Sequence, residues 1–319
     1  MKRTIYPKGQ SELFTNEAKA REFFEKQRWP EGPICPHCGE VNNAYRLAGK
    51  TTRPGLYKCA GCRKKFTVTM RSIFEDSHIP LHKWFYAIHL MCSSKKGMSA
   101  YQFHRMTATF YGEKVSYRTA WFMFHRIRFA MTQHPMIDKL RGVVEIDETY
   151  VGGKEKGTGL TGAGNRLSKK RPVVSLVDRE RGQVRSFPVE RVTIDNLRPI
   201  INEHVETGST IQTDEAAVYH WMPKGFDHDI VTHAKKEYAR REDDGRLITS
   251  NTVEGYFSLL KRGIYGTYHH VGVPYLQQYL NEFDFRYNNR KVTDMVRAGL
   301  ALKACDGKRL TLRKPLALQ

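Results

Sequence analysis

The stretch Val143-Val144-Glu145-Ile146-Asp147-Glu148-Thr149-Tyr150-Val151, which runs into Gly152-Gly153, predicts a β-strand with an aspartate in an apolar setting. A charge at such a position is costly unless a partner or a metal ion offsets it. The next apolar run, Pro172 to Asp178, predicts a strand that is buried on both faces. Arg181-Gly182 then predicts a hairpin turn into a third strand at 183–189.

Helix and strand patterns alternate beyond this hairpin. We expect helices over 194–205, 252–261 and 274–290, and short strands over 210–214 and 228–232. Three strands followed by alternating helices and strands predict an α/β domain with a mixed sheet. The basic segment from Lys303 onward is expected to be mobile.

Upstream of this domain, four of the six cysteines form two short-spaced pairs, with 20 residues between the pairs: Cys35, Cys38, Cys59 and Cys62. The first residues lead into no apolar segment, so we expect no secretory signal and favour a metal site over disulfides. Four thiolates fill the tetrahedral sphere of zinc, so the predicted ion is structural. Cys92 and Cys305 are interpreted as a core residue and a tail residue.

Helical patterns occupy the segments around and after these cysteines, at 11–28, 80–94, 99–106 and 116–131. Ser99 and Ser116 are placed to cap the last two helices. The last three helices, joined by short turns, are compatible with a helix-turn-helix. Four basic side chains of the final helix are expected to face DNA: Arg118, His125, Arg126 and Arg128. Taken alone, this helix also fits a linker with solvated arginines.

The charge of the chain is concentrated at its front. The 319 residues carry 53 Lys and Arg against 33 Asp and Glu, a formal charge of +20. Residues 1–142 hold 25 basic and 10 acidic side chains, whereas residues 143–319 hold 28 and 23. The front is therefore a basic module suited to a polyanion such as DNA. No run of 18 apolar residues is present, so no membrane span is expected.

Three acids of the second half are candidates for catalysis: Asp147, Asp214 and Glu254. Carboxylates from three elements can hold two Mg²⁺ ions, and such a pair promotes phosphoryl transfer. Lys261 follows Glu254 by two helical turns and shares its face. Each acid alone also fits a capped turn or a surface position, and Lys261 also fits a solvated lysine.

Together these segments resemble the zinc-ribbon DDE transposases of bacterial insertion sequences, of the ISXO type, which are prokaryotic relatives of the Merlin superfamily. The resemblance spans about residues 20–290 and rests, in chain order, on residues 28–32, 35–39, 94–99, 119–121, 145–153, 213–214 and 251–254. It implies an RNase H-like catalytic core preceded by the zinc ribbon and the helix-turn-helix. It also implies a catalytic triad of Asp147, Asp214 and Glu254, with Lys261 as the basic residue that follows.

The activity implied by this resemblance is DNA transposition. Water attacks a phosphodiester at the transposon end and frees a 3′-OH, which then attacks target DNA. Asp147 is expected to bridge two Mg²⁺ or Mn²⁺ ions, with Asp214 and Glu254 each supporting one, and a phosphate contact by Lys261 is a hypothesis. The implied partner is double-stranded DNA, without a membrane. A homodimer or larger assembly on DNA, in the cytoplasm at the bacterial nucleoid, is expected.

Two other functions stay open on the residues alone: a DNA-binding regulator with an inactive core, and a structure-specific nuclease.

The dinucleotide-binding pattern Gly157-x-Gly159-x-x-Gly162 is rejected, because no helix fits between Gly162 and Pro172. A basic loop is expected there instead. We expect four parts along the chain: an N-terminal helix and zinc ribbon at 1–72, a helix-turn-helix at 73–140, the catalytic domain at 141–272, and a C-terminal helix and basic tail at 273–319.

Overall fold

The computed structural model describes residues 11–132, 138–152, 170–222, 224–232, 239–243 and 245–310. The chain divides into two compact units. Unit one is built from residues up to 94, from 98–131 and from 292–310, and unit two from 95–97 and 132–291. The four-part division expected along the sequence stays a prediction. The basic loop predicted around Gly157–Gly162 lies outside the described residues.

Unit one begins with a helix and a small antiparallel sheet. The elements are α1 (Glu17–Arg28), β1 (Ala44–Arg46), β2 (Tyr57–Cys59) and β3 (Lys65–Phe66), with the strands in the order β1-β2-β3. Trp29, at the end of α1, packs edge-on against Tyr57 and Phe66, with ring centroids 5.6 and 5.7 Å away. This aromatic cluster anchors the helix to the sheet whose middle strand ends at Cys59.

Three longer helices follow in unit one. They are α2 (Leu81–Ser93), α3 (Ala100–Tyr111) and α4 (Tyr117–Ala130). As predicted, Ser99 caps α3 and Ser116 caps α4, because each hydroxyl accepts a 3.1 Å hydrogen bond from a backbone N–H in the first turn. Helix α3 runs to Tyr111 rather than Met106. It ends at Gly112, whose φ of 73° is the left-handed conformation that stops a helix.

A last helix, α8 (Asp294–Lys303), completes unit one and was not predicted. Arg297 donates a 2.8 Å hydrogen bond to the backbone carbonyl of Cys92 on α2. Cys305 is fully buried after the helix, so its interpretation as a tail residue was wrong. Lys308 donates a 2.6 Å hydrogen bond to the carbonyl of Ala130 on α4. The expectation of a mobile segment from Lys303 is therefore corrected for residues up to 310.

Unit two contains the predicted mixed sheet. Its strands are β4 (Val143–Val151), β5 (Arg171–Asp178), β6 (Gln183–Pro188), β7 (Thr210–Asp214) and β8 (Asp227–Val231). They lie in the order β6-β5-β4-β7-β8. The β4–β5 and β5–β6 pairs are antiparallel, whereas the β4–β7 and β7–β8 pairs are parallel. The first strand is therefore central, and both β5 and β7 pair with it.

Alternation along β4 separates two apolar layers. On one face, Val144 and Ile146 pack in a buried cluster with residues of α5 (Ile194–His204). On the other face, Val151 packs in a cluster with residues of α6 (Asn251–Gly263) and α7 (Leu276–Asn288). Because side chains alternate along a strand, Glu145 and Asp147 lie on the same face as Val151. The predicted catalytic aspartate therefore faces the layer that contains α6.

The remaining elements of unit two follow β8. They are the antiparallel pair β9 (Ala239–Arg241) and β10 (Leu247–Thr249), the helix α6 (Asn251–Gly263), a π-helical segment (Ile264–Tyr268) and the helix α7 (Leu276–Asn288). The β9–β10 pair was not predicted. Within the described ranges, no helix is both long and apolar enough to cross a membrane.

Candidate active site and metal centres

The four predicted cysteine ligands converge in unit one. Their sulfur atoms all lie within 4.8 Å of one another. Cys35 Sγ lies 3.6 Å from Cys62 Sγ, and Cys38 Sγ lies 3.6 Å from Cys59 Sγ. A tetrahedron with zinc–sulfur bonds of about 2.3 Å has edges of about 3.8 Å, so this spacing fits zinc. The cluster thus fits a structural zinc ion with all four ligands supplied by cysteine.

The electrostatics of the cluster also call for a cation. Burial raises the pKa of the Cys35 thiol, but the backbone N–H groups of Cys38 and His37 outweigh it and bring the pKa to about 7. The Cys62 N–H lowers the pKa of Cys59, but burial and contacts with neighbouring thiols raise it to about 12. Crowded thiols cannot all ionise without a compensating charge, and a bound metal ion provides it.

The predicted triad is distributed over three elements of unit two. Asp147 lies in the middle of β4, Asp214 is the last residue of β7, and Glu254 lies in the first turn of α6. The parallel register pairs Glu145 with Gln212, so the same register two residues further would place Asp147 beside Asp214. The fold therefore brings Asp147 and Asp214 side by side on adjacent strands, at the C-terminal end of β7.

The raised pKa of Asp147 indicates that the three acids lie close enough to interact. Burial raises the pKa of Asp147 to about 7, opposed by a hydrogen bond from the backbone N–H of Glu148. The negative charges of Glu148, Asp214 and Glu254 make smaller contributions to this raised pKa. Such mutual repulsion among carboxylates is what a bound divalent cation relieves. The oxygen donors are those that Mg²⁺ and Mn²⁺ prefer.

Local hydrogen bonds orient each acid. Asp147 Oδ1 accepts a 2.7 Å hydrogen bond from the N–H of Glu148, and Asp214 Oδ1 accepts one of 3.1 Å from Ala216. Ser250 Oγ donates to Glu254 Oε1 at 2.9 Å. Among the described residues, the four cysteines are the only group of three or more His, Cys, Asp or Glu side chains whose ligand atoms all lie within 4.8 Å of one another. The triad is more widely spaced, as a pair of ions about 3.5–4 Å apart allows.

Glu145 has a clear structural role that the sequence did not define. Its carboxylate is fully buried and forms an ion pair with Arg179 at 2.8 Å. It also accepts hydrogen bonds from the backbone N–H groups of Thr252 and Val253, at 2.8 and 2.9 Å. The structure therefore assigns Glu145 to a buried salt bridge. The spacing of two residues to Asp147 was the available signal.

Glu148 occupies the opposite face of β4 from Asp147. Tyr219 donates a hydrogen bond of 2.5 Å from its hydroxyl to Glu148 Oε2. Burial raises the pKa of Glu148, and the charge of Asp214 raises it further. The side chain of Glu148 thus contacts Tyr219, yet its charge still raises the pKa of Asp147.

The five predicted basic contacts have different surroundings. Lys261 and Arg118 are exposed. The side chains of His125, Arg126 and Arg128 are only 4%, 9% and 2% exposed. Arg126 donates a 2.6 Å hydrogen bond to the carbonyl of Ile73. The three buried side chains therefore serve the packing of unit one in this conformation, and a DNA contact by the α4 helix is retained only for Arg118.

Two family models match the chain. The transposase zinc-ribbon domain matches residues 15–65, and the ISXO2-like transposase domain matches residues 139–288. The first match contains the cysteine cluster, and the second contains all three acids.

Individual proteins are also similar to this chain. An uncharacterized protein in transposable element ISH50 of Halobacterium salinarum is 26% identical over 291 residues, which cover 86% of this chain and 91% of the relative. A solved structure is that of a simian T-cell lymphotropic virus intasome in complex with the PP2A regulatory subunit B56 gamma. It matches 64% of this chain and 67% of the solved chain at 16% identity, but the TM-score is only 0.26, too low to support a conclusion. The cysteine cluster, the mixed α/β sheet and the two matched domains place the chain among the zinc-ribbon DDE transposases of insertion sequences, with an RNase H-like catalytic core.

Proposed function

We propose that the chain binds the terminal inverted repeats of its element and catalyses Mg²⁺-dependent cleavage and transfer of DNA strands. The observation that carries this proposal is the electrostatic effect of Asp214 and Glu254 on Asp147, within a matched transposase domain. A regulator with an inactive core has no use for two further acids whose charges raise the pKa of Asp147. The proposed function is therefore that of an active enzyme.

The reaction has two steps of the same chemical kind. In the first step, the oxygen of water forms a bond to phosphorus at the transposon end, and the bond to the 3′ oxygen breaks. In the second step, this 3′ oxygen forms a bond to phosphorus in target DNA, and the bond to a target 3′ oxygen breaks. When bound, two Mg²⁺ ions activate the attacking oxygen and stabilise the leaving oxygen.

Each acid has a proposed part in holding the metal ions. Asp147, half-buried on the central strand, would contribute to holding both ions, while Asp214 and Glu254 would each support one. The hydrogen bonds from the backbone at Asp147 and Asp214 and from Ser250 at Glu254 each fix one oxygen of the acid. The proposed metal ligands are therefore oriented before a metal ion binds.

DNA binding is proposed for exposed cations of each unit. Helices α2 to α4 are proposed to form a helix-turn-helix, and Arg118 lies in the first turn of α4, where such motifs contact DNA. Lys261 lies about 10 Å along α6 from Glu254, since two turns rise by about 5.4 Å each. We propose that it contacts a phosphate near the site. Assembly of two or more chains on DNA at the bacterial nucleoid belongs to the same proposal.

The decisive experiment is strand transfer with a labelled terminal-repeat duplex and Mg²⁺. The wild type should join the duplex to target DNA, and Asp147→Ala should not. Asp195→Asn changes an exposed acid on α5 and serves as the matched control with full activity. Cleavage without joining, on any duplex, would identify a structure-specific nuclease. Binding without either reaction would identify a regulator.

A further inference from the structure

A largely buried network of hydrogen-bonded polar residues lies next to the three proposed catalytic acids. Its members Glu145, Gln212 and Thr252 each precede an acid by exactly two positions in the sequence. On a strand, residues two apart lie on the same face. Glu145 is therefore the neighbour of Asp147 on one face of β4, and Gln212 is the neighbour of Asp214 on one face of β7. Glu145 and Gln212 are 0% and 1% exposed.

Arg179 connects these residues. Its Nε donates to Glu145 Oε1 at 2.8 Å, and its Nη2 donates to Gln212 Oε1. Its Nη1 donates to the carbonyl of Leu247 at 2.7 Å, and its Nη2 also donates to the carbonyl of Thr249 at 2.9 Å. One guanidinium therefore joins β4 and β7 to strand β10, which leads directly into α6. We call Arg179, Glu145, Gln212 and Thr252 the Arg179 network.

Glu145 fixes the start of α6. Its Oε2 accepts the backbone N–H groups of Thr252 and Val253, and its Oε1 accepts the Thr252 hydroxyl at 2.8 Å. A carboxylate at a helix N-terminus satisfies backbone donors that have no partner inside the helix. The next residue after Val253 is Glu254, so the position of the third acid depends on this contact.

The contacts of Glu145 exclude it as a metal ligand. Each carboxylate oxygen accepts about two hydrogen bonds at most. Oε1 already accepts from Arg179 and from the Thr252 hydroxyl, and Oε2 accepts from two backbone amides. All acceptor positions are in use, and Arg179 balances the charge. Glu145 therefore acts on the active site only through the elements that it holds.

We propose that Glu145 and Arg179 are positioning residues that set the spacing of the three acids and thereby the affinity of the site for divalent metal ions. This inference rests on the proposed function, because it assumes that the acids hold metal. Residues that orient metal ligands from behind typically change metal affinity by about 10–100-fold when they are replaced. The Arg179 network should have an effect of this size although none of its members touches the metal.

The test measures Mn²⁺ binding to the full chain without DNA, by the electron paramagnetic resonance signal of free Mn²⁺. Glu145→Gln keeps the shape of the side chain but replaces two acceptor positions with donors that face the amides of α6. Affinity for Mn²⁺ should fall by about 10–100-fold. Arg179→Lys keeps the charge but cannot reach all four acceptors, and it should weaken binding in the same direction. It also keeps the test valid if Glu145→Gln does not fold.

The control is Asp284→Asn, which changes another buried carboxylate of unit two that does not contact the network. It should lower the melting temperature and leave Mn²⁺ affinity within about twofold, well below the range expected for ligand-orienting residues. Wild-type affinity in folded Glu145→Gln and Arg179→Lys overturns the inference, as does an equal loss in the control.

The proposed function fails separately. If the wild type binds Mn²⁺ but does not join DNA, the catalytic proposal fails and the network is still tested by binding. If Asp147→Ala binds Mn²⁺ as the wild type does, the acids do not form the metal site, and both proposals fall.

Discussion

The buried carboxylate of Glu145 accepts a 2.9 Å hydrogen bond from the backbone N–H of Val253, 108 residues further along the chain. The strand that carries Asp147 is thereby bonded to the residue immediately before Glu254. Two of the three acids are thus linked through backbone and buried side chain rather than through flexible loops. Rigid support of this kind allows three acids from distant parts of the sequence to hold metal ions in one arrangement.

Cys59→Ser should remove the zinc ion from unit one. The variant leaves three thiolates, and a structural site needs four ligands, so zinc content should fall from about one ion per chain to well below one. Because β2 carries Cys59 and packs Tyr57 against Trp29, the melting temperature of unit one should fall as well. Metal analysis after gel filtration measures the first effect. Cys92→Ala, a buried cysteine outside the cluster, should keep its zinc. A Cys59→Ser protein with full zinc would refute the four-cysteine site.

Arg118→Ala should weaken DNA binding, whereas Arg126→Gln should lower the stability of unit one. Arg118 is exposed in the first turn of α4, so its loss should weaken binding of terminal-repeat DNA and reduce the salt slope of the logarithm of affinity by about 0.9 per lost phosphate contact. Arg126 donates to backbone carbonyls of Ile73 and Glu75, so its loss should destabilise unit one by about 1.5–3 kcal/mol. Binding titrations at several salt concentrations and denaturant unfolding distinguish the two. An unchanged salt slope for Arg118→Ala would remove α4 from the DNA interface.

Lys261→Gln should raise the DNA concentration that gives half-maximal strand transfer more than it lowers the maximal rate. A lysine that binds phosphate as a point charge contributes to affinity in the same way for every DNA sequence. The neighbouring Arg262→Gln is the control, because Arg262 is also exposed but its Nε donates to the carbonyl of Ser258 in its own helix. Equal effects of the two variants would indicate general electrostatic attraction rather than a placed contact.

The sequence predicted those parts of the fold that have a local signal. The β-branched run of β4 and the capping serines of α3 and α4 each specify their element within a few residues. Helix α8 was missed, although Thr293 caps it by accepting from the N–H of Val296, because the segment lies beside a basic tail. A short helix of this kind is stabilised mainly by packing in unit one, which the local sequence does not reveal.

The roles of buried charges depended on partners that are distant in the sequence. In the sequence, Arg126 and Arg128 fit the pattern of a helix that faces DNA. Only the packing of unit one shows that both side chains are buried. Glu145 needs Arg179 and the start of α6, which lie 34 and 107 residues away. The three acids were predicted from their motifs, and their catalytic role stays a prediction, whereas the buried contacts of Glu145 with Arg179 and α6 became visible only in the fold.

Tyr256→Phe should destabilise unit two more at high pH than at low pH. The Tyr256 hydroxyl donates to Asp284 Oδ1, and Ser186 donates to the same carboxyl through its N–H and hydroxyl at 2.8 Å. Burial raises the pKa of Asp284 from 3.8 to about 7, although these hydrogen bonds lower it. Because the folded-state pKa is raised, the carboxyl is protonated and at no cost near pH 4. The stability that it contributes is lost as the pH rises toward 7.

The Tyr256 hydroxyl offsets part of this loss because hydrogen bonds to a charged group are worth about 1.5–3 kcal/mol, against about 1 kcal/mol for a neutral one. The free energy of unfolding of Tyr256→Phe should therefore fall by about 1 kcal/mol at pH 5 and by up to about 3 kcal/mol at pH 8. Tyr287→Phe is the control, since this half-buried ring packs on Tyr256 at 5.3 Å, and its hydroxyl has no hydrogen bond within the described part of the chain. Denaturant titrations at both pH values measure the difference. A loss that is independent of pH would mean that Asp284 keeps one protonation state across this range.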